Sequence, residues 1–341
     1  MKSGTIRVEA SVVSQKLSWV GLRVGDYVIE ELLGEGSYSW VFKAVHVDQK
    51  WNAKAIKVAK PPEAVDEGGP TSCIPTDAYW PSGGTVITVK PETEQLLCLQ
   101  AKQLQAISDP GLVMIEEVSV SPGSCYYRMP IIRGNNLRRF MTAGPVHTDI
   151  LLDIARCLKR LSETEIFYCH GDLKPENIMV TAAGMVLIDP GYYGTIEAYK
   201  GATKQPLSNC AVTSTLYYPY LHPDDLLALG LLTWEIACRE HPLAKKTTSK
   251  DFDRKTIGAE LWTAIQEEEK EGKFFLSPLL GLKRPSVLRP GIPSDLERFL
   301  LRCLKVKFET DGKLNADIGF QDFGEYTAAL TRLAEKGIRY L

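Results

Sequence analysis

One stretch of this sequence decides how the remainder is interpreted: His170-Gly171-Asp172-Leu173-Lys174-Pro175-Glu176-Asn177-Ile178-Met179. It places an aspartate, a lysine and an asparagine within six positions of one another. A carboxylate can orient a hydroxyl group, an ammonium can neutralise a phosphoryl group in transfer, and an amide oxygen can bind a metal ion. A surface loop has this content and spacing by chance about once in a hundred cases. We therefore interpret the stretch as catalytic.

A second acidic residue follows this stretch at a short distance. Twelve residues after Asn177 the sequence reads Ile188-Asp189-Pro190-Gly191, at the end of the apolar strand pattern Met185 to Ile188. A carboxylate at the end of a buried strand can hold magnesium against the β- and γ-phosphates of a nucleotide. The sequence predicts that Asp189 holds a second magnesium position in addition to the metal ligand Asn177.

A glycine-rich hairpin lies near the start of the chain, in the segment Gly34-Glu35-Gly36-Ser37-Tyr38-Ser39-Trp40-Val41. Without side chains at Gly34 and Gly36, the backbone can approach a polyphosphate and offer its N–H groups. A hairpin of this kind is by itself more often only a turn. The next strand, Ala55-Ile56-Lys57, supports a phosphate-binding role for this hairpin, because an adjacent antiparallel strand would aim Lys57 at the same phosphates.

The remaining pattern changes from strands to helices along the chain. Beyond Gly134 the apolar residues follow helical spacing, and Leu226 to Cys238 is apolar nearly all round, as in a helix buried inside a lobe. We predict an α+β fold of two lobes. The predicted divisions are an extension at 1–23, a strand-rich lobe at 24–133 with an inserted loop at about 61–90, and a helical lobe at 134–341.

These motifs resemble the eukaryotic-type protein kinase family over roughly residues 24 to 335. The resemblance implies an enzyme that uses ATP and Mg²⁺ in a cleft between the lobes. It implies that Asp172 is the catalytic base, that Lys174 assists it, and that Lys57 grips the α- and β-phosphates. It also implies that Asn177 and Asp189 bind the metal.

The same resemblance implies a nucleotide site. Met129 would stand at its back as the gatekeeper, and the backbone near Ile132 would read the adenine. Asp225, at the start of the buried helix, would tie down the catalytic loop, which contains Asp172, Lys174 and Asn177. The implied nucleotide-contacting residues are Gly34, Glu35, Gly36, Ser37, Val41, Ala55, Lys57, Gln100, Met129, Ile132, Asn177 and Asp189.

Several positions depart from the family pattern. Gly171 replaces an arginine, so we expect activity that does not depend on phosphorylation of the activation segment. Pro190 replaces a phenylalanine, and no glutamate follows Tyr218-Pro219 at the expected place. Gln100 stands where the family has a glutamate. A glutamine there can accept a hydrogen bond from Lys57 but adds no negative charge.

Three functions are compatible with these motifs. The first is a serine/threonine protein kinase that acts on protein substrates. The second is a pseudokinase that senses nucleotide or acts as a scaffold, which the departures favour. The third is a small-molecule kinase of the aminoglycoside or choline type. Lys174 argues against the third, because those enzymes usually lack this lysine.

The composition limits the classes of partner and the cellular compartment that we expect for the protein. The 341 residues are 44% hydrophobic and 24% charged, with a net charge of -2, so no nucleic-acid partner is indicated. No apolar run approaches the length of a membrane span, and the first residues lack the apolar segment of a signal peptide. The eight cysteines are scattered. We expect buried free thiols at Cys98, Cys238 and Cys303, and hence a cytoplasmic protein.

Overall fold

The computed structural model of the chain describes residues 19–36, 39–59, 93–121, 124–191, 224–242 and 282–341. Four predicted features lie outside these residues: most of the N-terminal extension, the inserted loop at about 61–90, Ser37, and the segment around Tyr218-Pro219.

Strands dominate the first part of the described chain and helices the second. The strands are β1 (Arg23–Val24), β2 (Tyr27–Glu35), β3 (Ser39–His46), β4 (Ala53–Ala59), β5 (Glu117–Ser121), β6 (Ser124–Pro130), β7 (Asn135–Asn136), β8 (Ile178–Thr181), β9 (Gly184–Leu187), β10 (Val306–Phe308) and β11 (Leu314–Ala316). The helices are α1 (Thr93–Gln105), α2 (Leu137–Ala143), α3 (Thr148–Ser162), α4 (Asp225–Cys238), α5 (Pro285–Leu288), α6 (Ser294–Cys303) and α7 (Phe323–Glu335).

The first six strands form one antiparallel sheet in the order β1-β2-β3-β4-β6-β5, and α1 packs against it. Successive side chains of a strand point to opposite faces. Ile56 and Val58 are fully buried on one face, in a cluster with Trp40 and Phe42. Lys57 lies between them in sequence and therefore points to the other face, toward the helical part of the chain.

The helical part is built around α4, which is buried along almost its whole length, as the apolar pattern of this segment predicts. The hydroxyl groups of Thr233 on α4 and Tyr326 on α7 lie 2.7 Å apart and join the two helices. None of the helices in the described ranges is long and apolar enough to cross a bilayer. The predicted α+β architecture, strand-rich first and helical afterwards, is confirmed.

The cysteines agree with the sequence-based prediction at two of three positions. Cys238 and Cys303 are buried free thiols. Burial raises the pKa of Cys238 to about 12 and the pKa of Cys303 well above its ordinary value. Cys98 forms a disulfide, so the free-thiol prediction is wrong there. Spacing along a sequence does not show which thiols meet in the fold.

Candidate active site

The loop between α3 and β8 is held in place by the side chain of Asp225, the first residue of α4. Its two carboxylate oxygens accept hydrogen bonds from the backbone N–H groups of His170 (2.6 Å) and Gly171 (2.9 Å). Burial raises the pKa of the Asp225 carboxyl, and these two N–H groups partly offset that effect. Gly171 adopts a left-handed φ of 68°, which favours glycine. The predicted role of Asp225 in tying down this loop is confirmed.

His170 serves the loop as a hydrogen-bonding residue. Its Nδ1 atom accepts from the backbone N–H of Asp172 (3.3 Å), and its Nε2 atom lies 3.1 Å from the carbonyl oxygen of Ile188. These contacts assign the proton to Nε2. Burial lowers the pKa of His170, so the imidazole is neutral at physiological pH.

The Asp172 carboxylate is the meeting place of three catalytic-loop side chains, its own and those of Lys174 and Asn177. The Oδ2 atom of Asp172 accepts hydrogen bonds from Lys174 Nζ and from Asn177 Nδ2, both at 2.8 Å. The other carboxylate oxygen, Oδ1, is buried and has no hydrogen-bond partner within the described part of the chain. A buried acceptor without a partner is costly. Asp172 is thus held through one carboxylate oxygen, while the described residues leave the other oxygen without a donor.

Asp189, two residues after the end of β9, lies beside this group of side chains. Its backbone is left-handed, with a φ of 57°, and its carboxylate forms an ion pair with Lys57 across the cleft. Partial burial would raise the pKa of Asp189, but the ammonium groups of Lys57 and Lys174 lower it below its ordinary value. Asp189 is therefore ionised at neutral pH. Asn177 Nδ2 lies 3.4 Å from the Asp189 carbonyl oxygen, so the two predicted metal ligands are neighbours.

Lys57 reaches this site from the sheet. Only 4% of Lys57 is exposed, and its Nζ atom lies 5.7 Å from the centre of the Tyr127 ring. The strand register pairs Gly34 with Val41 and Val41 with Lys57. Lys57 thus shares a face with Val41, as its position after the glycine-rich hairpin predicts.

Ala55 and Met129, two other predicted nucleotide-contacting residues, lie on this same face. Ala55 is two residues before Lys57 on β4 and pairs with Met129 on β6. In the hairpin, the N–H of Gly36 donates to the Ser39 carbonyl oxygen at 2.9 Å. The Glu35 carboxylate accepts a hydrogen bond from the Trp40 indole at 3.1 Å, which braces the turn.

Residues 131–134 connect β6 to β7 and belong to no helix or strand. The backbone of Ile132 makes no hydrogen bond to another described residue. Gly134 holds this connection close to β8, because a Cβ atom there would clash with the carbonyl oxygen of Val180.

Gln100 requires a correction. It lies on α1, with 1% of its surface exposed, but it does not bond to Lys57. Its Nε2 atom donates to the carbonyl oxygen of Pro190 at 2.7 Å, and its buried Oε1 atom has no hydrogen-bond partner among the described residues. The predicted bond is wrong because the Lys57 ammonium is directed to Asp189, whereas the Gln100 amide meets a backbone carbonyl. A competing alignment of this helix places Glu94 at the glutamate position of the family, but the Glu94 side chain is outside the described residues.

One element of the site was missed by the sequence analysis. Arg138 on α2 bonds to Glu176 in the catalytic loop (3.0 Å) and to Glu235 on α4 (2.6 Å). Burial would lower the pKa of Arg138, but the two carboxylates raise it above its ordinary value. The three charges are far apart in sequence, and no motif marks them. Together they join α2, the catalytic loop and the central helix.

We expect Arg138→Met to lower the free energy of unfolding by about 3 kcal/mol, because it leaves the Glu235 carboxylate buried without this cation. Only 8% of the Glu235 side chain is exposed. The measurement is urea unfolding, with Arg139→Met as the control because Arg139 is an exposed neighbour on the same helix. Adding Glu235→Gln to Arg138→Met should recover part of the loss. Equal stability of the two single arginine variants would contradict the role of this network.

Comparison with known proteins identifies the family. A family model described as protein tyrosine and serine/threonine kinase matches residues 87–264, just over half of the chain. The chain belongs to the protein kinase family. The match covers the catalytic loop and Asp189, so the family resemblance inferred from these motifs is confirmed.

Curated relatives of this protein kinase include plant and bacterial enzymes. It is 28% identical to CBL-interacting protein kinase 12 of Oryza sativa over 48% of this chain and 26% of the relative. It is 24% identical to the tyrosine-protein kinase MasK of Myxococcus xanthus, over 65% of this chain and 34% of the relative. It is 25% identical to the probable serine/threonine-protein kinase PknB of Corynebacterium glutamicum, over 53% and 28%. The chain thus spans about a quarter to a third of these relatives.

Solved structures agree on the fold. The kinase domain of Mycobacterium tuberculosis PknI, as a cysteine-to-alanine variant, superposes with a TM-score of 0.51 at 16% identity, over 92% of this chain and 98% of that one. The apo form of PpkA-294 gives a TM-score of 0.53 at 15% identity, over 91% and 98%. The two-lobed kinase fold expected from the sequence is therefore confirmed.

Proposed function

We propose that this protein kinase transfers the γ-phosphate of ATP to serine or threonine hydroxyl groups of protein substrates and requires magnesium. The observation that carries the proposal is the environment of Asp172. One of its oxygens is held by Lys174 and Asn177, and the other is buried with no partner among the described residues; Asn177 also reaches the backbone of Asp189, which pairs with Lys57. A scaffold that only binds nucleotide has no need for this oriented carboxylate.

The residues present fit a magnesium ion. Asp189 supplies a carboxylate that is ionised at neutral pH, and Asn177 supplies an amide oxygen, since its nitrogen is already engaged by Asp172. Magnesium prefers such oxygen ligands and is usually bound by one or two protein groups together with phosphates. When bound, it would neutralise charge on the phosphate oxygens. Asn177 and Asp189 would hold it.

The chain's own residues then provide orientation and charge. The Asp172 Oδ1 atom accepts the proton of the substrate hydroxyl group and points its oxygen at the γ-phosphate. The Lys174 ammonium, 2.8 Å from Asp172, lies where it can also neutralise the transferring group. Lys57 binds the α- and β-phosphates. Phosphoryl transfer depends mainly on such positioning and electrostatic stabilisation.

The nucleotide would lie beneath the cleft-facing side of the sheet. Val41, Ala55 and Met129 would contact the adenine through apolar surface, and the backbone groups of Ile132 would read its edge. The hairpin at Gly34, Glu35, Gly36 and Ser37 would cover the phosphates. We also propose that the boundary between the lobes lies near residue 134. The proposed substrate is a protein, and the proposed location is the cytoplasm.

The test is a phosphotransfer assay with labelled ATP, a general protein substrate and magnesium, followed by analysis of the labelled amino acid. We expect label on serine or threonine, both on the substrate and on the kinase itself, and none when magnesium is chelated. Label on tyrosine alone would contradict the serine/threonine assignment, a relevant outcome because MasK is named a tyrosine kinase. Nucleotide binding without any transfer would favour the pseudokinase alternative.

A further inference from the structure

The Gln100 side chain connects α1 to the segment that follows Asp189. It is almost fully buried, and its amide nitrogen donates to the carbonyl oxygen of Pro190, 90 residues further along the chain. Resting on the proposed function, we propose that Gln100 is a positioning residue that holds the Asp189–Gly191 segment in place. The contact requires a hydrogen-bond donor. A carboxylate, which the family pattern has here, would not serve.

The Asp189–Gly191 segment depends on its surroundings to keep its conformation. Pro190 has no N–H group, and Asp189 is in the left-handed region with a φ of 57°. This conformation costs free energy for a residue other than glycine and persists only when its surroundings fix it. The surroundings therefore have to supply the restraint.

Backbone bonds fix the two ends of the segment. The N–H of Ile188 donates to the Asn177 carbonyl oxygen (2.9 Å), and the N–H of Gly191 donates to the His170 carbonyl oxygen (2.7 Å). Between them, the Pro190 carbonyl accepts from Gln100. The Gln100 bond is thus the link from α1 to the middle of the segment, next to the carboxylate that faces Lys57.

The charge arrangement explains why an amide suits this position. In the described structure the Lys57 ammonium pairs with Asp189, so a second carboxylate at Gln100 is not required to balance it. A glutamate in place of Gln100 would bring an acceptor against the Pro190 carbonyl oxygen and a buried negative charge beside Asp189. The resemblance to other kinases implies the opposite result, that a glutamate here would strengthen the site by pairing with Lys57.

The experiment compares Gln100→Glu and Gln100→Met with the parent. Gln103→Glu is the matched control. Gln103 is on the same helix, and its amide also donates to a backbone carbonyl, that of Ile166 at 2.6 Å, but away from the site. For each protein the kcat and the KM for ATP are measured between pH 5.5 and 8.5. The magnesium concentration that gives half-maximal thermal stabilisation in the presence of ADP is measured as well.

At pH 8 we expect Gln100→Glu to lower kcat/KM about tenfold, the effect of one buried hydrogen bond. The loss should shrink as the pH falls, because burial raises the pKa of the new carboxyl group and its protonated form regains a donor. Gln100→Met should lose activity without this recovery, and Gln103→Glu should match the parent. The half-maximal magnesium concentration should rise in both Gln100 variants.

Parental or higher activity of Gln100→Glu at pH 8 would overturn the proposal, as would parental activity of Gln100→Met if the glutamate variant does not fold. If the parent itself transfers no phosphate, the proposed function fails, and the magnesium titration still decides the role of Gln100. An unchanged half-maximal magnesium concentration in both Gln100 variants would then count against it.

Discussion

Asp189→Asn is expected to lower kcat by at least about 10³-fold. The substitution keeps the shape of the side chain but removes the charge that faces Lys57 and that would bind magnesium. Because the pKa of Asp189 is lowered, the parent carries this charge throughout the neutral range. The measurement is the initial rate of phosphotransfer at saturating ATP and magnesium.

Thermal unfolding separates the metal role of Asp189 from a general effect on folding. Magnesium and ADP together should raise the Tm of the parent clearly and that of Asp189→Asn much less, since a ligand stabilises only the state that binds it. Asp317→Asn, a change of the same kind at an exposed position, should behave as the parent does. Equal stabilisation of the parent and Asp189→Asn would remove Asp189 from the metal site.

Asp172→Asn is expected to lower kcat by about 10²–10⁴-fold while nucleotide binding stays intact. The substitution preserves an oxygen that can accept from Lys174, but the residue can no longer take a proton from the substrate hydroxyl group. The expected signature is a loss in kcat with an almost unchanged KM for ATP, which shows that the interaction acts in the transition state.

The contrast with Asp189 makes this prediction specific. Asp172→Asn should retain the thermal stabilisation by magnesium and ADP that Asp189→Asn loses, because Asp172 orients the hydroxyl group and is not needed to bind the nucleotide. A variant that keeps parental kcat would contradict the assignment of Asp172 as the base. A variant that loses both activity and nucleotide stabilisation would place Asp172 in the metal site.

The sequence by itself determined those parts of the site whose residues are neighbours along the chain. Asp172, Lys174 and Asn177 lie within one loop, and a short turn at Pro175–Asn177 brings their side chains together. Strand periodicity was equally informative, since the alternation of two residues fixes the face to which Lys57 points. The apolar pattern from Leu226 to Cys238 also predicted the central helix, and the resemblance to protein kinases placed Asp225 at its start.

Only the tertiary structure decided which distant groups meet. Lys57 pairs with Asp189, and the Gln100 amide reaches a backbone carbonyl, which no residue-type pattern records. Arg138 bridges two acidic residues that lie 38 and 97 positions away. Such contacts depend on how α1, α2 and α4 pack against the sheet and the catalytic loop. A sequence pattern reports local periodicity and chemistry, but the choice among several possible partners for a buried charge is made by distances that arise when the elements pack.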